Sequence, residues 1–268
     1  MVSFPTCMTE FKSNLADHFE MSDLGKLAWI LSIQITCDRI QRTISLSQLS
    51  YIDSIIKRFN LSTASPLTTP LDPSTQLSKS QSPSTASHWE DMQKIPYCEA
   101  IGSLMYAVIG TQPNITYAVT ALSQYLQNPG RAHWEQAKRV IRYLKGTRDY
   151  ELKYGPSGGV EGFTDANWGN DIDDRHSICG YAFVLNGGAI SWSSKKQPMV
   201  ALSSTEAKYI AVTHAAKEAT WIRHLLSEIY SPLVINYPII LYSDNKSAID
   251  VTNTAAHLKD FTHMPRNS

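Results

Sequence analysis

The chain has 268 residues, of which 43% are hydrophobic, and its 24 basic side chains are balanced by 24 acidic ones. This composition excludes a wholly disordered chain and a strongly basic tail that binds nucleic acid unselectively, although a local basic face is compatible with it. The length leaves room for about two domains.

The cysteine and apolar patterns predict an intracellular protein that is neither secreted nor embedded in a membrane. The four cysteines are far apart and form no Cys-x-x-Cys pair, which indicates reduced thiols rather than a disulfide framework or a zinc site. Charged residues such as Glu10, Lys12 and Asp17 lie where a signal peptide needs an apolar core. No apolar run approaches the roughly 18 residues that span a bilayer.

The first 61 residues predict a helix, two strands and a second helix. Apolar residues at helical spacing predict a helix over Glu10–Phe19, and alternation predicts a half-buried strand over Leu27–Thr36. A second strand is predicted over Thr43–Leu46, and Ser47 is typical of the N-cap of the next helix. Ser, Thr and Pro then dominate over Ser62–His88, so this segment is predicted to form an irregular linker or an extended strap over a surface.

Residues 97–154 predict a group of helices. Their predicted ranges are Ala100–Gly110, Ile115–Leu126 and Arg131–Lys145. In the third helix Lys138, Arg142 and Lys145 flank the apolar face. Two interpretations stay open, because such residues form either an ordinary solvated edge or a strip that contacts the phosphates of a nucleic acid.

The segment Gly155–Gly159 predicts a hinge, beyond which the pattern changes. Three strands, a long helix over Ser203–Ile229, a further strand and a partial helix are predicted. A run of hairpin strands followed by a helix that crosses to another strand predicts a mixed sheet with a helix on its face. The predicted fold class is therefore α+β, or mixed α/β.

Three carboxylates lie at the ends of predicted elements. Asp165 ends a strand, Glu206 lies in the first turn of the long helix, and Asp244 ends the last strand. Carboxylates from several elements are the ligands that Mg²⁺ requires, and two such ions about 4 Å apart can activate water for phosphodiester cleavage. The alternative is structural, because an Asp at a strand end often forms a turn and Ser203-x-x-Glu206 fits a capping box.

A second acidic group lies in a loop rich in Gly and Asn. It consists of Asp171, Asp173 and Asp174. We interpret this loop as a solvated hairpin connection rather than as a site.

The order of several motifs closely resembles the RNase H domain of copia-type retrotransposon polyproteins. The motifs are Phe163-Thr-Asp-Ala-Asn-Trp168, Asp173-Asp-Arg-His-Ser177, Ile190-Ser-Trp-Ser-Ser-Lys-Lys-Gln197, Ala201-Leu-Ser-Ser-Thr-Glu-Ala-Lys-Tyr209 and Ser243-Asp-Asn-Lys-Ser-Ala248. In the N-terminal half, Ile101-Gly-Ser-Leu-Met-Tyr106 and Arg142-Tyr-Leu-Lys-Gly-Thr147 are similar to the end of the reverse transcriptase of that family and its connection to RNase H.

The resemblance implies four regions. Residues 1–61 would end a palm- or thumb-like part of the reverse transcriptase, 62–96 would be the linker, and 97–154 a helical connection. Residues 160–268 would form an RNase H-like mixed sheet with a long covering helix, incomplete at its C-terminal end.

The resemblance also implies hydrolysis of RNA in RNA–DNA hybrids, with Mg²⁺ or Mn²⁺ in a two-ion site. Asp165, Glu206 and Asp244 would be the metal-binding, catalytic acids, and Lys138, Arg142 and Lys145 would contact nucleic acid. Implied partners are the hybrid and other parts of Pol, such as integrase and a complete reverse transcriptase. The implied location is the cytoplasm, within a virus-like particle of an intact element, or the nucleus.

Two departures from the family pattern lower the expected activity. The chain lacks the Tyr-x-Asp-Asp hairpin of the polymerase, so no polymerase site is expected. It also lacks the family's fourth acid in an Ala-Asp…Thr-Lys motif, and Asp260-Phe-Thr-His-Met-Pro265 replaces the preceding Arg-Thr-Lys-His-Ile-Asp. We therefore expect an impaired RNase H, or alternatively a non-catalytic nucleic-acid-binding remnant of a decayed element.

Overall fold

The computed structural model of the chain describes residues 4–22, 25–229 and 238–259. Within these ranges the chain has a mixed α/β fold with two four-stranded sheets, which confirms the predicted fold class at that level. The motif over Asp260–Pro265 lies outside the described residues. None of the helices in the described ranges combines the length and apolar character that crossing a bilayer requires.

The elements alternate between helical and strand-rich stretches. The helices are α1 (Phe4–His18), α2 (Leu49–Arg58), α3 (Ala86–Gln93), α4 (Tyr97–Gly110), α5 (Thr116–Ser123), α6 (Arg131–Gly146), α7 (Ser204–Ile229) and α8 (Lys246–Lys259), with short 3₁₀ turns at Lys79–Gln81 and Pro113–Ile115. The strands are β1 (Trp29–Ile30), β2 (Ile33–Asp38), β3 (Thr43–Ser47), β4 (Leu152–Tyr154), β5 (Val160–Asn167), β6 (Ile178–Leu185), β7 (Gly188–Lys196) and β8 (Ile240–Tyr242).

The first sheet has the antiparallel order β1-β2-β3-β4. The prediction of one strand over Leu27–Thr36 is wrong, because the chain reverses at Leu31 and Ser32. Both residues have positive φ, 49° and 61°, as a two-residue hairpin turn requires. The apolar alternation runs through this turn, so it conceals the reversal.

The start of α2 differs from its prediction by one residue. Gln48, not Ser47, is the N-cap, although the Ser47 hydroxyl accepts a 3.3 Å hydrogen bond from the Leu49 N–H. The Gln48 side chain is fully buried, and its Oε1 accepts hydrogen bonds from both the N–H and the hydroxyl of Thr111 at the end of α4. The buried Gln48 side chain therefore links the start of α2 to the end of α4.

Residues 49–146, here called the helical unit, share one apolar core. Its large members such as Ile52, Leu104 and Ile141 are fully excluded from solvent. Burial of each such side chain contributes about 1.5–3 kcal/mol relative to exposure. The buried Tyr97 hydroxyl is satisfied, since it donates a 2.8 Å hydrogen bond to the Leu122 carbonyl.

Residues 62–85 cross α6 as an extended strap. Its backbone and side chains accept hydrogen bonds from Arg139, Arg142 and Lys145 of α6. The prediction of an irregular segment over Ser62–His88 is wrong only in its last three residues, where α3 begins at Ala86. The reason is local, because the Thr85 hydroxyl accepts a hydrogen bond from the His88 N–H and caps that helix.

Residues 160–259, here called the C-terminal unit, contain the second sheet, with the order β7-β6-β5-β8. The first three strands are antiparallel neighbours, and β8 runs parallel to β5. The link between β6 and β7 is Asn186-Gly187, with positive φ at both residues, which matches the right-handed twist of a hairpin.

Helix α7 covers one face of this sheet, as predicted. The residues that it buries most completely include Ala207, Ala211 and Ala215, which recur every four positions. Such small side chains let the helix lie close to the strands. The opposite side of β7 meets the helical unit, where the Trp192 indole donates a 3.0 Å hydrogen bond to the Val108 carbonyl.

Candidate functional site

Asp165 of β5 and Asp244, two residues beyond the end of the neighbouring parallel strand β8, lie side by side. Phe163 of β5 is paired with Tyr242 of β8, and the two strands run in the same direction. Two residues after each of them the chain has an aspartate, Asp165 and Asp244. Both carboxylates are exposed, at 68% and 67% of their side-chain area. This arrangement brings together two of the three acids that the sequence singles out.

A lysine lies between these two carboxylates. The Lys208 ammonium is 3.0 Å from Oδ1 of Asp165 and donates a hydrogen bond to Oδ1 of Asp244. Its side chain is only 16% exposed. The contact with Asp244 is the main influence that raises the pKa of Lys208 above 10.5, and the same contact lowers the pKa of Asp244 below 3.8.

Glu206 has a different role, at the beginning of α7. Its Oε2 accepts a 2.7 Å hydrogen bond from the Leu202 N–H, and its own N–H donates to the Ser203 hydroxyl at 3.1 Å. These contacts satisfy backbone donors at a helix N-terminus, in agreement with the structural alternative for this residue. Residues 206 and 208 are about 200° apart around a helix, so only one of them can face the aspartate pair.

The side chains at this position do not fit the expected two-metal site. Among the described residues, no group of three or more His, Cys, Asp or Glu side chains is arranged to hold a metal ion. Asp165 and Asp244 share one ammonium, and Glu206 is directed to the helix N-terminus. The predicted third ligand is therefore separated from the other two.

An open groove of about 810 Å³ leads to the aspartate pair. Phe163 and Tyr242 stack on one side, with ring centroids 5.2 Å apart, and Tyr117 of the helical unit lines the other side. The small residues Gly180 and Ala182 also line it. The groove therefore offers aromatic surfaces and two carboxylates to a ligand.

The predicted basic strip on α6 faces the strap. The Arg142 guanidinium donates a 2.8 Å hydrogen bond to the Ser65 carbonyl, and the Lys145 ammonium donates to the carbonyls of Ser62 and Ala64. Lys138 pairs instead with Glu135, 2.8 Å away on the same helix. The structure thus assigns internal contacts to all three side chains.

As predicted, the acidic loop over residues 169–175 is a hairpin connection between the antiparallel strands β5 and β6, and residues 172–175 are exposed, but its carboxylates also make specific contacts. Asp171 is buried and its carboxylate is 2.6 Å from the Lys196 ammonium, which also pairs with Asp174 at 2.5 Å. Asp173 accepts hydrogen bonds from the Ser78 hydroxyl and the Lys79 N–H, at 2.6 and 2.9 Å. The loop binds the strap because its carboxylates meet donors from distant parts of the chain.

Comparison with known proteins indicates the family of the chain. Residues 3–73 match the family model described as reverse transcriptase (RNA-dependent DNA polymerase). The chain is 42% identical over 96% of its length to the retrovirus-related Pol polyprotein from transposon TNT 1-94 of Nicotiana tabacum. It is 37% identical over 91% of its length to the corresponding polyprotein from transposon RE1 of Arabidopsis thaliana.

These matches cover only 19% and 16% of the two polyproteins. A putative transposon Ty5-1 protein of Saccharomyces cerevisiae is 34% identical over 80% of this chain, and 68% of that protein is covered. No solved structure is significantly similar to the chain. The relatives and the family model agree with the resemblance of the sequence motifs, and the chain belongs to the copia-type retrotransposon Pol family.

Proposed function

We propose that the C-terminal unit is an RNase H-like module of retrotransposon Pol that binds RNA–DNA hybrids. The observation that carries this proposal is the open groove lined by Asp165 of β5 and by Asp244, just beyond the adjacent parallel strand β8. An RNase H-like arrangement is further supported by three antiparallel strands, a covering helix and a fourth strand parallel to the first. Integrase and a complete reverse transcriptase of the same polyprotein are the proposed partners.

The groove suits a nucleic acid because it combines stacking surfaces with hydrogen-bonding groups. Phe163, Tyr242 and Tyr117 provide aromatic surface, and Ser193 and Ser194 are also among the residues that line the groove. Hybrid recognition then depends on duplex shape and on 2′-hydroxyls rather than on base sequence.

A binding titration with a fluorescent RNA–DNA hybrid tests this function. We expect the affinity to fall with rising salt, because binding to phosphates releases counterions. Tyr242→Ala should weaken binding by about tenfold, the effect of losing one stacking surface. Tyr150→Ala, which removes an exposed tyrosine outside the groove, should not change the affinity. Absence of hybrid binding by the folded protein would refute the proposal.

Mg²⁺-dependent hydrolysis of the RNA strand is the second candidate function. It is favoured by the convergence of Asp165 and Asp244, and opposed by the position of Lys208 between them. Incubation of a labelled hybrid with Mg²⁺ or Mn²⁺, beside an Asp165→Asn variant, distinguishes the two functions. Cleavage by the natural chain that Asp165→Asn abolishes would establish hydrolysis, and binding without cleavage would leave the hybrid-binding function alone.

The α6 edge is a further candidate contact with nucleic acid. Replacement of Lys138, Arg142 and Lys145 by glutamine removes three positive charges. If this edge contacts phosphates, hybrid affinity and its salt dependence both decrease. Lys94→Gln, at an exposed lysine on another helix end, is the control. An unchanged salt dependence in the triple variant would exclude the α6 edge as a phosphate contact.

A further inference from the structure

We infer that Lys208 serves as a built-in cation between Asp165 and Asp244 and keeps divalent metal ions out of this position. The inference deepens the proposed function, because it predicts a groove that can receive a hybrid without metal-dependent cutting. It rests on the contacts of one lysine, two aspartates and one glutamate.

Occupancy is the first argument. The Lys208 ammonium contacts one carboxylate oxygen on each aspartate. Mg²⁺ binds carboxylate oxygens at 2.0–2.1 Å and requires near-octahedral geometry, so it would compete for the same oxygens. A metal ion could enter only if the ammonium moved away.

The second argument is that the lysine is held in place. Its side chain is mostly shielded from solvent, whereas both aspartates are largely exposed. Displacing it would break two charge-assisted hydrogen bonds, which are roughly twice as strong as neutral ones. The displaced ammonium would then lie near a doubly charged ion and repel it.

Charge gives the third argument. With Lys208 present, the three side chains carry a formal charge of −1, and glutamate at this position would make it −3. Glu206 does not compensate, because its carboxylate caps the helix on the other side of α7. Divalent ions in proteins are generally bound where several carboxylates converge, so residue 208 decides the metal affinity of this site.

The test measures Mn²⁺ binding without nucleic acid, using the loss of the free-Mn²⁺ electron paramagnetic resonance signal. We expect Lys208→Glu to bind Mn²⁺ at least about tenfold more tightly than the natural chain, since a cation is replaced by a ligand. Lys208→Gln should give an intermediate affinity. Lys217→Glu makes the same charge change at an exposed position on the same helix and should match the natural chain.

Thermal unfolding provides a second readout. A ligand that binds only the folded state raises the melting temperature, so Mn²⁺ should stabilise Lys208→Glu and leave the natural chain and Lys217→Glu unchanged. If Lys208→Glu is unfolded without metal, folding on addition of Mn²⁺ supports the inference. If it stays unfolded, Lys208→Gln decides, and no gain in Mn²⁺ affinity in that variant overturns the inference.

Two further outcomes would overturn it. One is Mn²⁺ binding by the natural chain as tight as that of Lys208→Glu, and the other is equal binding by Lys208→Glu and Lys217→Glu. Because the hybrid is absent, failure of hybrid binding in the separate titration is distinguishable from failure of this inference.

Discussion

The helical unit buries large aliphatic side chains such as Ile52, Leu104 and Ile141, whereas most of the buried residues beneath α7 are alanines. The helical core is therefore stabilised by the apolar side-chain surface that it buries away from water. The C-terminal unit depends on close approach of helix and strands. We therefore expect that enlarging a buried side chain there destabilises the unit more than shortening one.

The substitution Ile141→Ala tests how much one large buried side chain stabilises the helical unit. Ile141 is fully buried, so we expect a loss of about 2–5 kcal/mol in the free energy of unfolding, measured by urea denaturation. Ile40→Ala is the control, since Ile40 is 96% exposed and should change stability by less than about 0.5 kcal/mol. Similar losses for both variants would contradict the packing argument.

Gly162→Ala adds a single methyl group to the C-terminal unit and tests whether added volume destabilises it. Its Cβ would lie 2.4 Å from Cδ2 of Leu241 and 2.5 Å from Cε1 of Phe183, so the sheet must shift. We expect a loss of about 1–3 kcal/mol in the free energy of unfolding. Gly159→Ala has no neighbour within 4 Å and serves as the matched control. A neutral Gly162→Ala would show that α7 and the strands are not closely packed.

Asp173→Asn tests the contact between the two units. The amide cannot accept from Ser78 and Lys79 as strongly as the carboxylate does, so strap docking should weaken by about 1–2 kcal/mol. Hydrogen exchange of strap amides measures this change. Asp149→Asn, at an exposed aspartate outside this contact, is the control and should leave exchange unchanged.

The same contact predicts a pH effect. Burial alone would raise the pKa of Asp173, but the hydrogen bonds from Ser78 and Lys79 outweigh it and lower the pKa below 3.8. A carboxyl group whose pKa is lowered on folding stabilises the fold above its unfolded pKa and loses that contribution as the pH falls through the folded value. The protection factors of the strap amides, which are corrected for the intrinsic pH dependence of exchange, should therefore fall below about pH 4 in the natural chain and change little with pH in Asp173→Asn.

The smallest expected effect is that of Arg142→Met. The variant keeps the aliphatic stem but loses the hydrogen bond to the Ser65 carbonyl, which should cost about 0.5–1.5 kcal/mol in strap stability. Faster limited proteolysis within residues 62–67 would report it. Arg131→Met, at the other end of α6, should leave this cleavage rate unchanged.

Elements with a clear local signal could be predicted from the sequence. Helix α6 has one apolar face, and its predicted range Arg131–Lys145 ends one residue before the observed helix does. The turn at Leu31 and Ser32 was missed, because neither residue type is typical of positive φ. The strap contacts of Asp173 could not be predicted either, since they join residues 95 positions apart.

The candidate site was predictable only in part. The predicted strand ends indicate Asp165 and Asp244, and Ser203-x-x-Glu206 indicates the capping contact that the structure shows for Glu206, but nothing in the sequence analysis indicates Lys208. The place of the Lys208 side chain depends on how α7 packs against the sheet, which is a long-range feature that no local pattern in the sequence reveals.

The pairing of β3 with β4 has a consequence for biosynthesis. The Ser45 hydroxyl donates a 2.9 Å hydrogen bond to Glu151, 106 positions later. At about 5–20 residues per second, a ribosome needs about 5–20 s to synthesise that interval. During this time β3 has no partner on one edge, and an unpaired edge can pair with other chains. The nascent N-terminal hairpin is therefore expected to depend on chaperones until β4 emerges.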